Sequence, residues 1–187
     1  GTRQPDSTLT LRLDHRPPYD WPQVLAFLAG RATAGVEHVV ASDSAGGGSY
    51  QRAVALGGCV GQVSVRPDPA RAALRCELSL TLIPVLLPLL RRLRALFDLD
   101  AQPSAVAAHL SQDPLLAPLV HRRPGLRVPG AFDGFELAVR AVLGQQVSVA
   151  AATTLGGRLC ARFGAPLPAA GPAALCFPSA AALAAAD

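Results

Sequence analysis

Two adjacent glutamines are the side chains best placed for molecular recognition. Gln145 and Gln146 follow Gly144, a residue type that ends helices, and they precede Ser148, a suitable N-cap for a second helix. Amides at such a turn can donate and accept hydrogen bonds at nucleobase edges, and the free backbone N–H groups of a helix N-terminus favour phosphate. A solvated turn between two helices, without any ligand, explains the same residues.

The titratable residues form no pattern typical of an enzyme. The acidic residues are sparse and show no paired-carboxylate spacing on one helix face, and the four histidines are isolated from one another. Walker, GxGxxG, GxSxG and HExxH motifs do not occur. The four cysteines form no CxxC pair, so we expect reduced and mostly buried thiols rather than a zinc site. They are Cys59, Cys76, Cys160 and Cys176.

Composition restricts the class of protein. The chain has 187 residues, of which 50% are hydrophobic and 16% are charged, so intrinsic disorder is excluded and one domain or two small ones are expected. All 17 basic residues are arginine and the net charge is +4. This charge favours an anionic partner such as nucleic acid, while a GC-rich genome explains the same arginine bias. The longest apolar run, 78–90, contains two prolines and is too short to cross a bilayer.

An antiparallel sheet and a series of helices must position the glutamine turn. Alternation of apolar and polar residues predicts strands at 8–14, 50–56, 59–66 and 72–80. Asp20 is the expected N-cap of a helix that ends near Gly35, and 42–49 is expected to be a loop. From residue 84 onward the pattern is helical, beginning with a helix that has leucines on one side and arginines on the other.

Further helices are predicted at 104–111, near 115 and near 179. Two longer helices flank the glutamine turn, the second of them spanning 148–163. The first of the two is predicted to present an apolar face made of Phe132, Phe135, Val139, Val142 and Leu143.

Six sequence blocks, in this order along nearly the whole chain, closely resemble those of the AlkA-type DNA glycosylases. These are the 3-methyladenine DNA glycosylases II of the helix-hairpin-helix superfamily. The blocks are Pro17-Pro18-Tyr19-Asp20-Trp21, Phe27-Leu28-Ala29-Gly30-Arg31, Leu96-Phe97-Asp98-Leu99, Arg123-Pro124-Gly125-Leu126-Arg127, Gly144-Gln145-Gln146-Val147-Ser148 and Cys176-Phe177-Pro178.

The resemblance implies an α+β fold. Residues 1–7 would be a linker, and 8–100 a domain with an antiparallel sheet and helices, similar to one repeat of the TATA-binding protein. Residues 101–187 would be the first helices of an all-α helix-hairpin-helix glycosylase domain, without its hairpin and catalytic part.

The resemblance also implies an activity. Family members flip alkylated bases, chiefly 3-methyladenine and related N-alkylpurines, out of double-stranded DNA and hydrolyse the N-glycosidic bond in base excision repair. We therefore expect a monomer in the bacterial cytoplasm, associated with the nucleoid, with no membrane partner and no cofactor.

Five residues correspond to functional positions of the family. Phe27 matches an aromatic wall of the base pocket and Arg31 its polar rim, with core packing and a surface position as the respective alternatives. Gln146 matches the wedge that fills the gap left by the flipped nucleotide, where a relative has leucine. Gln145 is expected to support the turn and Ser148 to cap the next helix.

The catalytic aspartate of the family has no counterpart in this chain. Asp187 matches a position well before the hairpin, so we expect the catalytic aspartate beyond Asp187 and no activity from the isolated chain. The polar start is compatible with an Ada-type regulatory region fused upstream. A non-catalytic lesion-sensing DNA-binding module, a domain kept for packing or interaction, and an oxidised-guanine glycosylase are the alternatives.

Overall fold

The computed structural model describes residues 8–41, 47–168 and 171–186. The predicted linker at 1–7, most of the predicted loop at 42–49, and Asp187 lie outside these ranges. The strands are β1 (Thr8–Asp14), β2 (Glu37–Val40), β3 (Ser49–Leu56), β4 (Cys59–Pro67) and β5 (Ala73–Ser79). The helices are α1 (Trp21–Ala29), α2 (Leu86–Leu96), α3 (Pro103–Leu110), α4 (Ala117–Arg122), α5 (Gly134–Leu143), α6 (Val149–Phe163) and α7 (Ala180–Ala184), with a 3₁₀ helix at Leu80–Val85.

The strands form one antiparallel sheet in the order β1-β5-β4-β3-β2. The four predicted strands are confirmed to within two residues at each end. The helix predicted to end near Gly35 is wrong at that end, since α1 stops at Ala29 and Gly30 is its C-cap. The chain then turns through Gly35, at φ +83°, into β2, whose four residues are too few to show alternation.

One face of the sheet carries the main core, and α1 and α2 pack on it. The predicted leucine face of α2 is confirmed, because Leu89, Leu93 and Leu96 are buried. At the centre, the Tyr50 and Phe97 rings meet edge to face, with centroids 5.6 Å apart. Burial of these large apolar side chains holds the sheet and the two helices together.

Three of the six sequence blocks contact one another. The Asp20 amide donates a hydrogen bond of 2.9 Å to the Gly125 carbonyl. The buried Arg127 guanidinium donates to the carbonyl oxygens of Pro18 (3.1 Å) and Asp98 (3.2 Å), and it lies 4.8 Å from the Tyr19 ring centroid. These contacts fasten the segment before α5 to the turn before α1.

We predict that Gly125→Ala strongly destabilises the protein. Gly125 has φ +80°, and a Cβ there would lie 2.5 Å from the Pro18 carbonyl carbon. The expected loss in free energy of unfolding is about 3 kcal/mol, measured by chemical denaturation. Gly134→Ala is the matched control, because a Cβ at the start of α5 meets no atom within 4 Å. Equal losses in the two variants would contradict the assigned contact.

Candidate functional site

A cavity of about 550 Å³ lies among the C-terminal end of α1, the segment before α5, and helices α5 and α6. Its volume falls in the range typical of pockets that hold one small molecule or one base. Aromatic and aliphatic side chains form most of the wall, and charged side chains form the floor. The lining aromatic residues are Phe27 and Phe132.

The structure places Phe27 and Arg31 side by side at this cavity. Phe27 is half-buried: it packs against the main core and also lines the cavity, so both interpretations of this residue agree with its position. Arg31 lies just beyond the end of α1 and is exposed. Its guanidinium carbon is 3.9 Å from the Phe27 ring centroid, a cation–π contact.

The floor of the cavity is a buried network of two carboxylates and two guanidinium groups. Arg52, on the inward face of β3, donates to Glu136 Oε2 of α5 at 2.8 Å. Arg140, one turn further along α5, donates to Glu136 Oε1 at 3.1 Å and to Glu37 Oε2 of β2 at 3.0 Å. Tyr50 donates to Glu37 Oε1 at 2.6 Å. The network joins two neighbouring strands to α5.

The network also reaches the cavity wall. Arg140 Nη2 donates to the carbonyl oxygen of Arg31, so it holds the backbone at the end of α1. The Arg52 guanidinium carbon lies 3.7 Å from the Phe132 ring centroid. Both aromatic rings of the cavity therefore contact an arginine.

The four network charges stabilise one another. Burial alone would raise the pKa of Glu37, but Arg52, Arg140 and the hydrogen bond from Tyr50 outweigh it and lower the pKa below its ordinary value of 4.5. Burial would lower the pKa of Arg52, and the neighbouring anionic groups raise it instead. Glu37 is therefore ionised at neutral pH, and its contribution to stability is lost as pH falls through its lowered pKa.

The apolar face predicted for α5 is wrong. The helix begins at Gly134, after Phe132, and its buried residue is Glu136. Phe135 and Val142 are 39% and 65% exposed. The helix turns its charged side toward the sheet because Arg52 lies there and needs a carboxylate partner.

The fold brings together two carboxylates that no local spacing could pair, because they lie on different elements. Glu37 and Glu136, far apart in sequence, share Arg140. One feature of the sequence could have indicated this cluster: Arg52 falls at an inward position of β3 between two buried residues, Tyr50 and Val54. A charge at such a position requires buried counter-charges.

The turn between α5 and α6 borders the same cavity, since Gly144 and Val147 line it. Gln145 and Gln146 are both exposed, and Gln146 has φ +61°, an uncommon conformation for a residue other than glycine. Ser148 Oγ accepts a hydrogen bond of 3.2 Å from the Ala151 amide, which confirms Ser148 as the N-cap of α6. The turn that carries the predicted wedge therefore borders the cavity lined by Phe27 and Arg31, although Gln145 and Gln146 are not among its lining residues.

The histidines, cysteines and carboxylates of the described residues form no metal site. No three of these described side chains lie close enough to hold a metal ion. All four cysteines are free, as predicted, and burial raises the pKa of Cys76 and Cys160 to about 12, so both thiols are protonated. Among the described helices, none has the length and apolar character needed to cross a bilayer.

Comparison with solved structures identifies the fold. The chain superimposes on the 3-methyladenine DNA-glycosylase from Archaeoglobus fulgidus with a TM-score of 0.73 and 21% identity, covering 92% of this chain and 57% of that chain. It superimposes on MBOgg1, solved in complex with a low affinity DNA ligand, with a TM-score of 0.64 and 18% identity, covering 99% and 56% respectively. The fold is that of the DNA glycosylases.

The chain belongs to the AlkA N-terminal domain family, whose sequence model matches residues 10–133. It is 43% identical over 175 residues to DNA-3-methyladenine glycosylase 2 of Escherichia coli, covering 94% of this chain. It is 41% identical over 160 residues to a probable bifunctional transcriptional activator/DNA repair enzyme AlkA of Mycobacterium tuberculosis, covering 86% of this chain. The chain spans 57% of the first relative and 31% of the second. The resemblance inferred from the six sequence blocks is confirmed.

We predict that Glu136→Gln destabilises the protein by about 3 kcal/mol, because it removes the charge that compensates buried Arg52. Arg52 and Glu136 side chains are 3% and 7% exposed. The measurement is the free energy of unfolding in denaturant. Glu77→Gln is the control, since Glu77 is 34% exposed and pairs with Arg66 at 2.8 Å on the surface. That variant should lose less than about 1 kcal/mol. A similar loss in both would refute a special role for the buried network.

Proposed function

We propose that the natural protein containing this chain is a DNA glycosylase of base excision repair. It flips an alkylated base, 3-methyladenine or a related N-alkylpurine, out of duplex DNA and hydrolyses the N-glycosidic bond. One observation carries this proposal: the Phe27–Arg31 wall and the Gln146 turn, far apart in the sequence, border one cavity. A flipped base needs both a pocket and a group that fills the gap it leaves.

In this proposal the turn between α5 and α6 meets the DNA. Gln146 extends from the turn and fills the space of the flipped nucleotide, and Gln145 supports the turn. The N-terminal amides of α6, a helix of 15 residues, lie beside it and favour a phosphate group. Ser148 caps this helix and fixes its starting point next to the cavity.

The cavity wall contacts the base. Phe27 offers an aromatic surface on which the base stacks, and Arg31 forms the polar rim. Alkylation at a purine ring nitrogen leaves positive charge on the base, which strengthens stacking on an aromatic ring and improves the leaving group. Flipping costs a few kcal/mol of lost stacking and pairing, so contacts of this kind must offset that cost.

The carboxylates of the cavity do not supply the hydrolytic group in this proposal. Three of them line it, and all six of their oxygen atoms already accept hydrogen bonds from described residues. They are Glu37, Asp133 and Glu136. We therefore assign the catalytic aspartate to a position beyond Asp187, and we assign to this chain the pocket wall and the wedge.

The proposal extends to the setting of the enzyme. The mycobacterial relative is named a bifunctional transcriptional activator and DNA repair enzyme. We propose a similar Ada-type region upstream of this chain, joined to a monomeric glycosylase that acts on the bacterial nucleoid in the cytoplasm. The partner is double-stranded DNA that contains alkylated bases.

The test is release of methylated purines from alkylated duplex DNA by the natural protein and by the 187-residue chain. We expect release by the natural protein alone, since the hydrolytic aspartate is assigned outside this chain. Absence of release by both, with the natural protein folded and bound to DNA, would contradict the proposal. That result would instead favour the lesion-sensing module.

We predict that Gln146→Ala in the natural protein weakens binding to duplex containing an abasic-site analogue by about tenfold, and binding to undamaged duplex much less. The reason is that a wedge contacts DNA only where a nucleotide has left the stack. Fluorescence anisotropy on the two duplexes measures both affinities. Gln112→Ala, an exposed glutamine that does not line the cavity, is the control. Equal weakening on both duplexes would disprove the wedge role.

A further inference from the structure

The charged residues around the cavity are unequally compensated. Six of the described lining residues carry charge: Arg31, Glu37, Arg52, Asp133, Glu136 and Arg140. Glu37 and Glu136 balance Arg52 and Arg140 within the buried network. Asp133 forms an ion pair of 2.7 Å with Arg92, outside the cavity lining. These pairs leave the floor neutral.

Arg31 is the exception. Among the described residues, no carboxylate lies within ion-pair distance of its guanidinium group. Its contacts are the Phe27 ring, at 3.9 Å, and a long hydrogen bond of 3.5 Å to the Phe27 carbonyl. Arg31 is therefore the one charged lining residue, among those that the structure describes, whose charge has no ion-pair partner.

The backbone and side chain of Arg31 are held differently. Its carbonyl oxygen accepts a hydrogen bond from Arg140 Nη2, which belongs to the buried network. Its guanidinium group is exposed, and only the Phe27 ring face and one long hydrogen bond of 3.5 Å hold it among the described residues. The point of attachment is fixed, and the charged end is free to leave the ring when another group stacks there.

We propose that Arg31 sets the ratio at which the pocket accepts cationic and neutral purines. This inference rests on the proposed glycosylase function. A cationic base that approaches Phe27 competes for the ring face and is also repelled by the guanidinium charge. A neutral purine also competes with Arg31 for the ring face, but the guanidinium charge does not repel it. Its π face can then stack against the planar guanidinium. Arg31 thus lowers the preference for cationic lesions below that of the same pocket without it.

The test uses the natural protein and two duplexes, one with a single 7-methylguanine, a cationic base, and one with a single hypoxanthine, a neutral base. The single-turnover rate constants of base release are measured for the unsubstituted protein and for the Arg31→Ala, Arg31→Lys and Arg158→Ala variants. Arg158 is an exposed arginine of α6 that does not line the cavity, so its removal controls for general loss of positive charge.

Arg31→Ala should raise the ratio of 7-methylguanine release to hypoxanthine release by about fivefold. Arg31→Lys keeps the charge but loses the planar guanidinium, so its ratio should lie between those of the unsubstituted protein and Arg31→Ala. Arg158→Ala should leave the ratio unchanged. The difference between Arg31→Ala and the unsubstituted protein should shrink at high salt, because an exposed charge is screened.

Two results would overturn the inference while leaving the proposed function intact. One is an unchanged ratio in Arg31→Ala. The other is a ratio in Arg31→Lys that rises as much as in Arg31→Ala, which would assign the effect to shape instead of charge. Release of neither base by the unsubstituted protein would overturn the proposed function itself, and this inference with it.

Discussion

The arrangement of the site depends on one buried charge, the guanidinium group of Arg52. This side chain lies on the inward face of a central strand and is 2% exposed, so it cannot be solvated by water. Glu136 of α5 forms an ion pair with it, and Arg140 links Glu136 to Glu37 on β2. Removal of any one of these charged side chains would leave a partner charge uncompensated. The network therefore fixes the position of α5 on the sheet. That position determines where the turn at Gln146 and the start of α6 lie.

A second buried arginine anchors the segment that leads into α5. Arg127 differs from Arg52 in its partners, because it donates to backbone carbonyls of the segments 16–18 and 98–101 and not to carboxylates. The planar guanidinium fork suits both tasks, since it can direct several N–H groups at fixed angles, and an ammonium group cannot. The two arginines together position α5. Arg127 holds the segment that precedes the helix, and Arg52 pairs with Glu136 near the start of the helix.

Local patterns predicted those parts of the fold whose side chains follow the usual separation of apolar inside and polar outside. The alternation in β1 and the leucine stripe of α2 are of this kind, and the caps Asp20 and Ser148 are set by neighbours three residues away. The prediction failed for α5, which buries a carboxylate and exposes Phe135, because its position follows from a charge on a distant strand. Spacing along one helix does not contain that information. The pocket and wedge assignments came from the family resemblance, and the geometry adds that Phe27, Arg31 and the turn that carries Gln146 border one cavity.

Burial of this charged network carries a large desolvation penalty, and well-packed apolar residues at the same positions would stabilise the fold at least as well. What the charges provide is a fixed geometry that also has no net charge. An apolar floor would leave the end of α1 without the hydrogen bond from Arg140 to the Arg31 carbonyl. With the network present, Arg140 holds the backbone of the rim, the floor is neutral, and the one charge without an ion-pair partner is on an exposed side chain. The buried network stabilises the fold, and Arg31 sets the preference of the pocket for cationic or neutral bases. Arg31 can therefore be substituted without disturbing the core beneath it.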